Sequence, residues 1–295
     1  MAVAKKITVL MKKSILLGVC FLQFFTAMAQ TKTPIPATSK PFVLGVIDEL
    51  PSKILGESRT LNIYLPEGYD ADATTRYPVI YLLDGSADED FIHIAGLVQF
   101  NSFEWVNQVP KSIVVGIATV DRRRDFTFPT TITSDQKKFP TSGRSENFIS
   151  FIEKELQPYI NQNYRTTTSK TIIGQSLGGL LITDILLTKP TLFDTYCIIS
   201  PSLWWNNGSL LDKDSVIFKE SFLQNTTVYI AVGKEGLTPT EVPRVMEVDA
   251  NLLVEKLKAS KSKQLKVYFD YLPDENHATI LHQAVMNAFK KIYGK

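Results

Sequence analysis

The chain has 295 residues, of which 44% are hydrophobic and 21% charged, a composition typical of globular proteins that excludes a disordered or fibrous chain. Its formal net charge is +2, but four of the 32 basic residues and none of the 30 acidic ones lie in positions 1–29. The remainder is therefore close to neutral, and nothing in it indicates binding to nucleic acid, which would require a clustered basic face.

The first 29 residues have the pattern of a secretory signal peptide. Lys12 and Lys13 precede an apolar run at 15–25, and Ala27-Met28-Ala29 follows it. This order predicts cleavage after Ala29 and a secreted or periplasmic protein. The alternatives are an uncleaved anchor and lipidation at Cys20, but the apolar run is too short to span a bilayer well and Val19 is unsuited to lipidation. We therefore expect no stable membrane insertion after cleavage.

Beyond the leader, residues 30–40 predict a flexible lead-in and residues 41–295 a single domain. In chain order, strands are predicted at 42–47, 60–64, 78–83, 112–117, 171–174, 193–200, 227–232 and 265–271, with helices at 146–164, 177–187, 250–257 and 278–292. Such alternation predicts an α/β fold with a mostly parallel central sheet and helices on both faces. Active sites of these sheets lie at the carboxyl ends of the strands, so candidate residues are sought there. Cys197, the one cysteine beyond the leader, is expected to be buried in a strand.

A G-x-S-x-G motif at 174–178 places Ser176 between a predicted strand and a predicted helix. This is the setting of a nucleophile elbow, in which a tight turn exposes the serine and leaves no room for neighbouring side chains. The start of the following helix also favours negative charge developing at the serine. The alternative is a glycine-rich connection without chemistry. We predict that Ser176 is a nucleophile.

A serine nucleophile needs a general base, and the chain offers three histidines. His277 follows the strand predicted at 265–271, whereas His93 and His282 lie on predicted helices. The order serine, acid, histidine then places an acid after the strand at 227–232. Glu235 is the first carboxylate there and is our candidate to orient His277. The alternatives are a Ser-His dyad and the later carboxylates, which are Glu241, Glu247 and Asp249.

Acyl transfer also requires two donors for the developing oxyanion. We expect one to be the backbone N–H of Leu177, directly after the nucleophile. The other is expected from the loop that follows the strand at 78–83, where Ser86 is the first candidate and Gly85 the second. A plain strand-ending turn is the alternative reading of that loop.

Two further segments are candidates for binding substrate. Arg122 and Arg124 lie in a charged run after the strand at 112–117, which predicts either a solvated face or an anion-binding rim. Trp204 and Trp205 follow the strand at 193–200 and predict either a pocket wall or core packing. No metal or cofactor is implied by these residues.

Taken together, the segments resemble the "putative esterase" family of α/β-hydrolases, which includes enterochelin-type siderophore esterases, esterase D, feruloyl esterases and mycolyltransferases. The resemblance covers nearly all of residues 42–292 and rests on these segments: YLLDG at 81–85, RRRDFTFP at 122–129, 148–164, GQSLGG at 174–179, SPSLWWN at 200–206, VGKE at 232–235 and ENH at 275–277. It implies Ser176 as nucleophile, His277 as base, and Leu177 and Ser86 as oxyanion donors. Glu235 falls where many members place the acid, although some members work with a dyad.

The resulting expectation is a serine carboxylic-ester hydrolase that acts on a small-molecule ester through an acyl-enzyme. The tryptophan segment is most similar to the siderophore-esterase side of the family. An esterase for acyl or feruloyl groups on polysaccharide, or an acyltransferase, is the alternative within the enzyme class. Outside that class, the alternative is a non-catalytic binding protein on a hydrolase scaffold.

Overall fold

The computed structural model describes residues 39–69, 74–238 and 240–294. The chain divides into two units, Met1–Phe42 and Val43–Lys295, and all the elements below lie in the second. The predicted leader, 1–29, and most of the predicted lead-in, 30–40, lie outside the described residues. The division of the chain into leader, lead-in and one domain therefore stays a prediction.

An eight-stranded sheet organises the second unit, with the strand order β1-β2-β4-β3-β5-β6-β7-β8. The strands are β1 Gly45–Ser52, β2 Glu57–Tyr64, β3 Tyr77–Leu82, β4 Ile113–Ile117, β5 Thr166–Gln175, β6 Thr195–Ile199, β7 Thr226–Gly233 and β8 Leu265–Leu272. β2 pairs antiparallel with both β1 and β4, and all the other pairs are parallel. The predicted α/β-hydrolase fold with a mostly parallel sheet is confirmed.

Eight α-helices and three other helical segments are found among the described residues. The α-helices are α1 Phe91–Asn101, α2 Arg122–Phe126, α3 Thr133–Lys138, α4 Ser145–Phe151, α5 Gln157–Asn163, α6 Leu177–Thr188, α7 Met246–Lys258 and α8 Ile280–Tyr293. A π-helical turn at Ile152–Leu156 joins α4 to α5, and 3₁₀ segments lie at Trp205–Asp212 and Val216–Phe218. None of the helices in the described ranges is long and apolar enough to cross a bilayer.

Both faces of the sheet are covered, as the alternation along β3 shows. Val79 and Tyr81 belong to a core that includes residues of α5, α6 and α7, whereas Ile80 and Leu82 belong to a core that includes residues of α1 and α8. Successive side chains of a strand point to opposite faces, so a strand buried on both sides is apolar throughout. Cys197 on β6 is buried as expected, and burial raises the pKa of its thiol to about 12.

Because β5, β6, β7 and β8 run parallel and in order, their carboxyl ends lie along one edge of the sheet. The loops that leave this edge carry the G-x-S-x-G turn, the Ser200–Asn206 segment, Glu235 and His277. Four segments far apart in the sequence are thus brought together by the strand order alone. This edge is where the topology predicts the site.

Candidate active site

Ser176 occupies the sharp turn between β5 and α6. Its backbone has φ 60° and ψ −118°, a conformation that residues other than glycine rarely adopt. The surrounding structure must therefore hold it in place. Crowding explains two of the glycines: a Cβ at Gly174 would lie 3.1 Å from the backbone of Gly178, and one at Gly179 would lie 3.0 Å from the carbonyl oxygen of Ile199. The N–H of Ser176 donates to that same Ile199 oxygen at 3.0 Å, so the turn is tied to β6.

His277 lies in the loop between β8 and α8, and its Nε2 is 3.0 Å from the Oγ of Ser176. The side-chain amide of Gln175 donates to the carbonyl of His277, and the N–H of Lys234 donates to the carbonyl of Glu275 at 2.8 Å. These contacts join the histidine loop both to the nucleophile turn and to the loop after β7. The imidazole of His277 is 44% exposed, so a substrate can reach it from solvent.

Glu235 follows β7 and orients the imidazole. Its Oε2 lies 2.6 Å from the Nδ1 of His277, while its Oε1 accepts the hydroxyl of Ser200 and the N–H of Gly233 at 3.3 Å. The side chain is only 2% exposed. Burial, the largest effect, raises the pKa of Glu235, but the hydrogen bonds from His277 and Ser200 outweigh it and hold the pKa below its ordinary value. Glu235 is therefore charged at neutral pH and fixes Nδ1 of His277 as a donor.

The other acids considered from the sequence contact other groups. Glu247, on α7, accepts the backbone N–H of Glu235 at 2.8 Å and of Gly236 at 3.0 Å, so it holds the acid loop in place. Asp249 is paired with Arg244, and Glu241 accepts the hydroxyl of Ser134. Among the described residues, Glu235 alone pairs a carboxylate with His277. The two remaining histidines, His93 and His282, stack edge to face at 4.7 Å on α1 and α8.

The loop after β3 approaches the start of α6, as an oxyanion site requires. A Cβ at Gly178 would lie 3.5 Å from both Leu83 and the Oδ2 of Asp84. The N–H of Gly85 already donates to the carbonyl of Ile117 at 3.0 Å, and a Cβ on Gly85 would lie 2.4 Å from Gly116. Gly85 is thus explained by close packing against β4, and it has no free N–H for substrate.

The N–H groups of Ser86 and Leu177 make no hydrogen bond within the described ranges. Leu177 is the first residue of α6, where backbone N–H groups have no partner within the helix. Ser86 comes two residues after Asp84, whose carboxylate lies near Gly178. The two donors predicted from the sequence are therefore both available, and they remain our candidates for the oxyanion site.

Arg122 connects the oxyanion loop to the nucleophile turn. Its guanidinium forms a two-pronged pair with Asp84, with Nε–Oδ1 at 2.8 Å and Nη2–Oδ2 at 2.9 Å, and Nη2 also donates to the carbonyl of Gln175 at 3.0 Å. Thr119 donates to Asp84 as well. Asp84 has a positive φ of 52°, so these bonds hold a strained turn. The structure thus gives Arg122 a positioning role within the protein, distinct from the substrate contact expected from the sequence.

Arg124 is engaged with carboxylates of the protein. Its Nε donates to Asp125 at 2.8 Å and its Nη1 to Glu57 at 3.0 Å, and Arg59, fully buried, pairs with the same two acids. The four charges form one network that fastens α2 to β2. Such multiply bonded pairs are strong because donor and acceptor are both ionised. The structure therefore does not leave Arg124 as a free cation at the substrate edge.

The two tryptophans differ in position. Trp205 is buried in the core, and its Nε1 donates to the carbonyl of Phe128 at 2.8 Å, so it packs as a structural residue. Trp204 is half-buried and lines a cavity of about 360 Å³. Other residues of that cavity include Thr131, Asp135, Asn207, Glu241 and Val242. Only Trp204 of the pair remains a candidate for contact with substrate.

Two serines that the sequence analysis did not single out contact the triad. Ser200, with φ 42°, donates to Glu235, and Ser202 lies with its Oγ 3.2 Å from the Oγ of Ser176. Both belong to the Ser-Pro-Ser segment that directly follows β6. Their position at the carboxyl end of a central strand was the signal in the sequence that could have identified them.

The arrangement can perform acyl transfer. A carboxylate orients an imidazole, and the imidazole accepts the proton of a serine hydroxyl. Of the two backbone donors, Leu177 directly follows that serine at the start of α6 and Ser86 lies on the loop after β3. The distance from Glu235 Oε2 to His277 Nδ1, 2.6 Å, and the distance from His277 Nε2 to Ser176 Oγ, 3.0 Å, are both within the range of hydrogen bonds.

Comparison with known proteins identifies the family of the chain. A family model described as "Putative esterase" matches residues 52–278, a range that contains Ser176, Glu235 and His277. Ferri-bacillibactin esterase BesA of Bacillus subtilis (strain 168) is 31% identical over 246 residues, covering 79% of this chain and 85% of that protein. The resemblance noted from the sequence is confirmed.

Solved structures of two similar proteins share the fold of this chain. An IroE-like serine hydrolase from Shewanella oneidensis superposes with a TM-score of 0.74 at 32% identity, covering 84% of this chain and 80% of that one. The BES protein from Bacillus cereus gives a TM-score of 0.74 at 30% identity, covering 88% and 98%. The similarity therefore extends over most of the described fold.

Proposed function

The chain belongs to the putative-esterase family of α/β-hydrolases and is an esterase, and we propose that it cleaves carboxylic esters through an acyl-enzyme on Ser176. The single observation that carries this proposal is the continuous line of hydrogen bonds from Glu235 through His277 to Ser176. A serine hydroxyl needs such an adjacent base to become nucleophilic near neutral pH.

In the proposed reaction, the Oγ of Ser176 attacks the ester carbonyl as its proton passes to Nε2 of His277. The negative charge on the carbonyl oxygen is stabilised by the N–H groups of Leu177 and Ser86. The carbonyl re-forms, the alcohol leaves, and it takes the proton from His277. Water then attacks the acyl group and gives a proton to Nε2 of His277. The bond between the acyl carbon and Oγ breaks, the carboxylic acid leaves, and Oγ of Ser176 takes that proton back from His277.

For the substrate class, we propose esters of the siderophore type. The support is the similarity to a protein named ferri-bacillibactin esterase over 85% of its length. The half-buried Trp204 and the cavity of about 360 Å³ beside it offer an aromatic wall for a bulky acyl or alcohol group. The loops around this cavity leave the same edge of the sheet as the catalytic loops.

We also propose that the protein is exported, with cleavage after Ala29 giving a secreted or periplasmic enzyme. The support is the order of basic, apolar and small residues in the first 29 positions. Expression of the full chain, followed by fractionation and N-terminal sequencing, tests this proposal. Recovery of the intact N-terminus in the cytoplasmic fraction would contradict it.

The mechanism is tested by covalent labelling. A fluorophosphonate should modify the wild-type protein on Ser176, as located by mass spectrometry of the labelled peptide, and Ser176→Ala should take no label and lose ester hydrolysis. Ser209→Ala, at an exposed position of the 3₁₀ segment after β6, is the control and should be labelled like wild type. Equal labelling of Ser176→Ala would refute the assignment.

The substrate class is tested separately with a panel of esters. It contains a catecholate trilactone with and without iron, a hydroxamate ester, a feruloylated sugar and simple nitrophenyl esters. We expect the highest kcat/KM for a siderophore ester. Turnover of the feruloylated sugar above the trilactone would favour the polysaccharide esterase instead, and transfer to an added alcohol in preference to water would favour an acyltransferase.

A further inference from the structure

Ser202 is a buried serine whose hydroxyl faces the nucleophile. Its Oγ lies 3.2 Å from the Oγ of Ser176, and its backbone N–H donates to the carbonyl of Ser176 at 3.0 Å. Ser202 is 1% exposed, and within the described ranges its hydroxyl has no other hydrogen-bond partner. A buried hydroxyl normally has a partner, so here the partner is the reacting atom itself.

The direction of this hydrogen bond follows from the protons. The charged Glu235 accepts the Nδ1–H of His277, which leaves Nε2 as an acceptor. Ser176 must therefore give its only hydroxyl proton to Nε2. The bond between the two serines then has Ser202 as donor and Ser176 as acceptor.

We infer that Ser202 is a further catalytic residue, which donates a hydrogen bond to the Oγ of Ser176 and assists release of the acyl group. This inference rests on the proposed acyl-enzyme. The Oγ of Ser176 has four tetrahedral directions. One holds the bond to Cβ, one holds the O–H that points to His277, and one holds a lone pair that accepts the hydrogen bond from Ser202. The remaining direction is free to form the bond to the acyl carbon, so the donor also sets the direction of attack.

The donor acts most strongly when the acyl group is released. In that step, water has added to the acyl carbon and given a proton to Nε2 of His277. The bond between that carbon and Oγ of Ser176 then breaks, its electron pair moves to Oγ, and Oγ takes the proton back from Nε2 while the carboxylic acid leaves. A donor hydrogen bond stabilises the negative charge that grows on Oγ. During acylation Oγ is the nucleophile and gives up electron density, so the same donor helps less.

The test measures the two half-reactions separately in Ser202→Ala. Rapid-quench mass spectrometry with p-nitrophenyl acetate follows the acetyl-enzyme, which gives one rate constant for acylation and one for deacylation. We expect deacylation to slow about tenfold, the effect of losing one hydrogen bond to a charged oxygen, and acylation to change less than about threefold. The acetyl-enzyme should therefore accumulate. Rate constants do not depend on the fraction of folded protein, so partial misfolding cannot imitate this result.

Ser112→Ala is the matched control. Ser112 is also 1% exposed, and its hydroxyl donates to the carbonyl of Pro110 ahead of β4. We expect both rate constants of this variant to equal those of wild type.

An unchanged ratio of deacylation to acylation in Ser202→Ala would overturn the inference, whether both rate constants stay the same or both fall together as in a merely structural role. Failure of the proposed function looks different, because wild type would then carry no acetyl group on Ser176 at all.

Discussion

Replacing Glu235 by glutamine tests whether the acid directs the protonation of the base. The carboxylate faces donors on both sides: His277 Nδ1–H on Oε2, and Ser200 O–H with Gly233 N–H on Oε1. A glutamine side chain has only one oxygen in place of the two carboxylate oxygens. If its NH₂ faced Gly233, that NH₂ and the N–H of Gly233, both hydrogen-bond donors, would face each other. The amide oxygen therefore takes the Oε1 side and the NH₂ faces His277. Nδ1 must then accept, which leaves the proton on Nε2, where it cannot receive the proton of Ser176.

The size of the effect follows from the contacts. Restoring the reactive form of His277 in Glu235→Gln buries an unsatisfied donor, which costs about 1 to 3 kcal/mol. The imidazolium formed during the reaction also loses its hydrogen bond to a charged oxygen, worth about 1.5 to 3 kcal/mol. Because the side chain is 2% exposed, water does little to replace either contact. Together these terms reduce kcat by about 10²- to 10⁴-fold.

The assay is steady-state hydrolysis of p-nitrophenyl acetate, together with the second-order rate of inactivation by a fluorophosphonate. Both rates should fall by the same large factor in Glu235→Gln. The matched control is Glu255→Gln, at an exposed position of α7, which should behave as wild type. A loss of less than about tenfold in Glu235→Gln would refute the reasoning and support a Ser-His dyad, since acid replacement in a working triad costs about 10⁴-fold.

Two further predictions concern the charged groups. Arg122→Met releases Asp84 and the carbonyl of Gln175, so the oxyanion loop loses its tie to the nucleophile turn. In Arg122→Met we expect kcat for p-nitrophenyl acetate to fall about 10- to 100-fold, with a smaller change in KM. In Arg122→Lys, which keeps the charge but cannot form the two-pronged pair, kcat should fall less. An unchanged kcat in Arg122→Met would contradict the positioning role. The second concerns acid: the hydrogen bond from Arg124 holds the pKa of Glu57 below its ordinary value of 4.5, against the effect of burial. A group whose pKa is lowered by folding contributes stability that is complete above pH 4.5 and is lost as the pH falls through the lowered pKa. The difference in Tm between wild type and Glu57→Gln should therefore shrink below about pH 4.5. A difference that grows as the pH falls would contradict this prediction.

The glycine requirements show how far local sequence reasoning reaches. The motif at 174–178 predicted a cramped turn, and the structure gives the cause: added Cβ atoms at Gly174 and at the following Gly179 would be in tight contact with the backbone of Gly178 and the carbonyl of Ile199. Gly85 shows the limit of the same reasoning. Gly85 was the second candidate for an oxyanion donor, but its N–H is bonded to the carbonyl of Ile117, and its close neighbour is Gly116 on the adjacent strand, 31 positions along the chain.

Charged and aromatic side chains were harder to assign, because their role depends on which partners arrive from distant segments. Arg124 is engaged by Glu57, a residue of β2 that the charged run itself does not contain. Trp204 and Trp205 are adjacent in sequence, yet Trp204 lines a cavity and Trp205 fills the core, where its Nε1 donates to the carbonyl of Phe128. No spacing rule within either segment distinguishes these outcomes.

The sequence by itself determined the eight strands, their alternation with helices, and the candidates for nucleophile, base and acid, because these depend on local periodicity and on the order in which strands end. It did not determine the short helices α2 and α3 or the π-helical turn that divides the helix predicted at 146–164. Only the tertiary structure decided which groups meet across those ends: Ser200 with Glu235, Ser202 with Ser176, and Arg122 with Asp84. The physical reason is that a parallel sheet aligns the carboxyl ends of strands that are distant in sequence. Hydrogen bonds of about 3 Å between their loops then depend on packing to a fraction of an ångström, which periodicity does not encode.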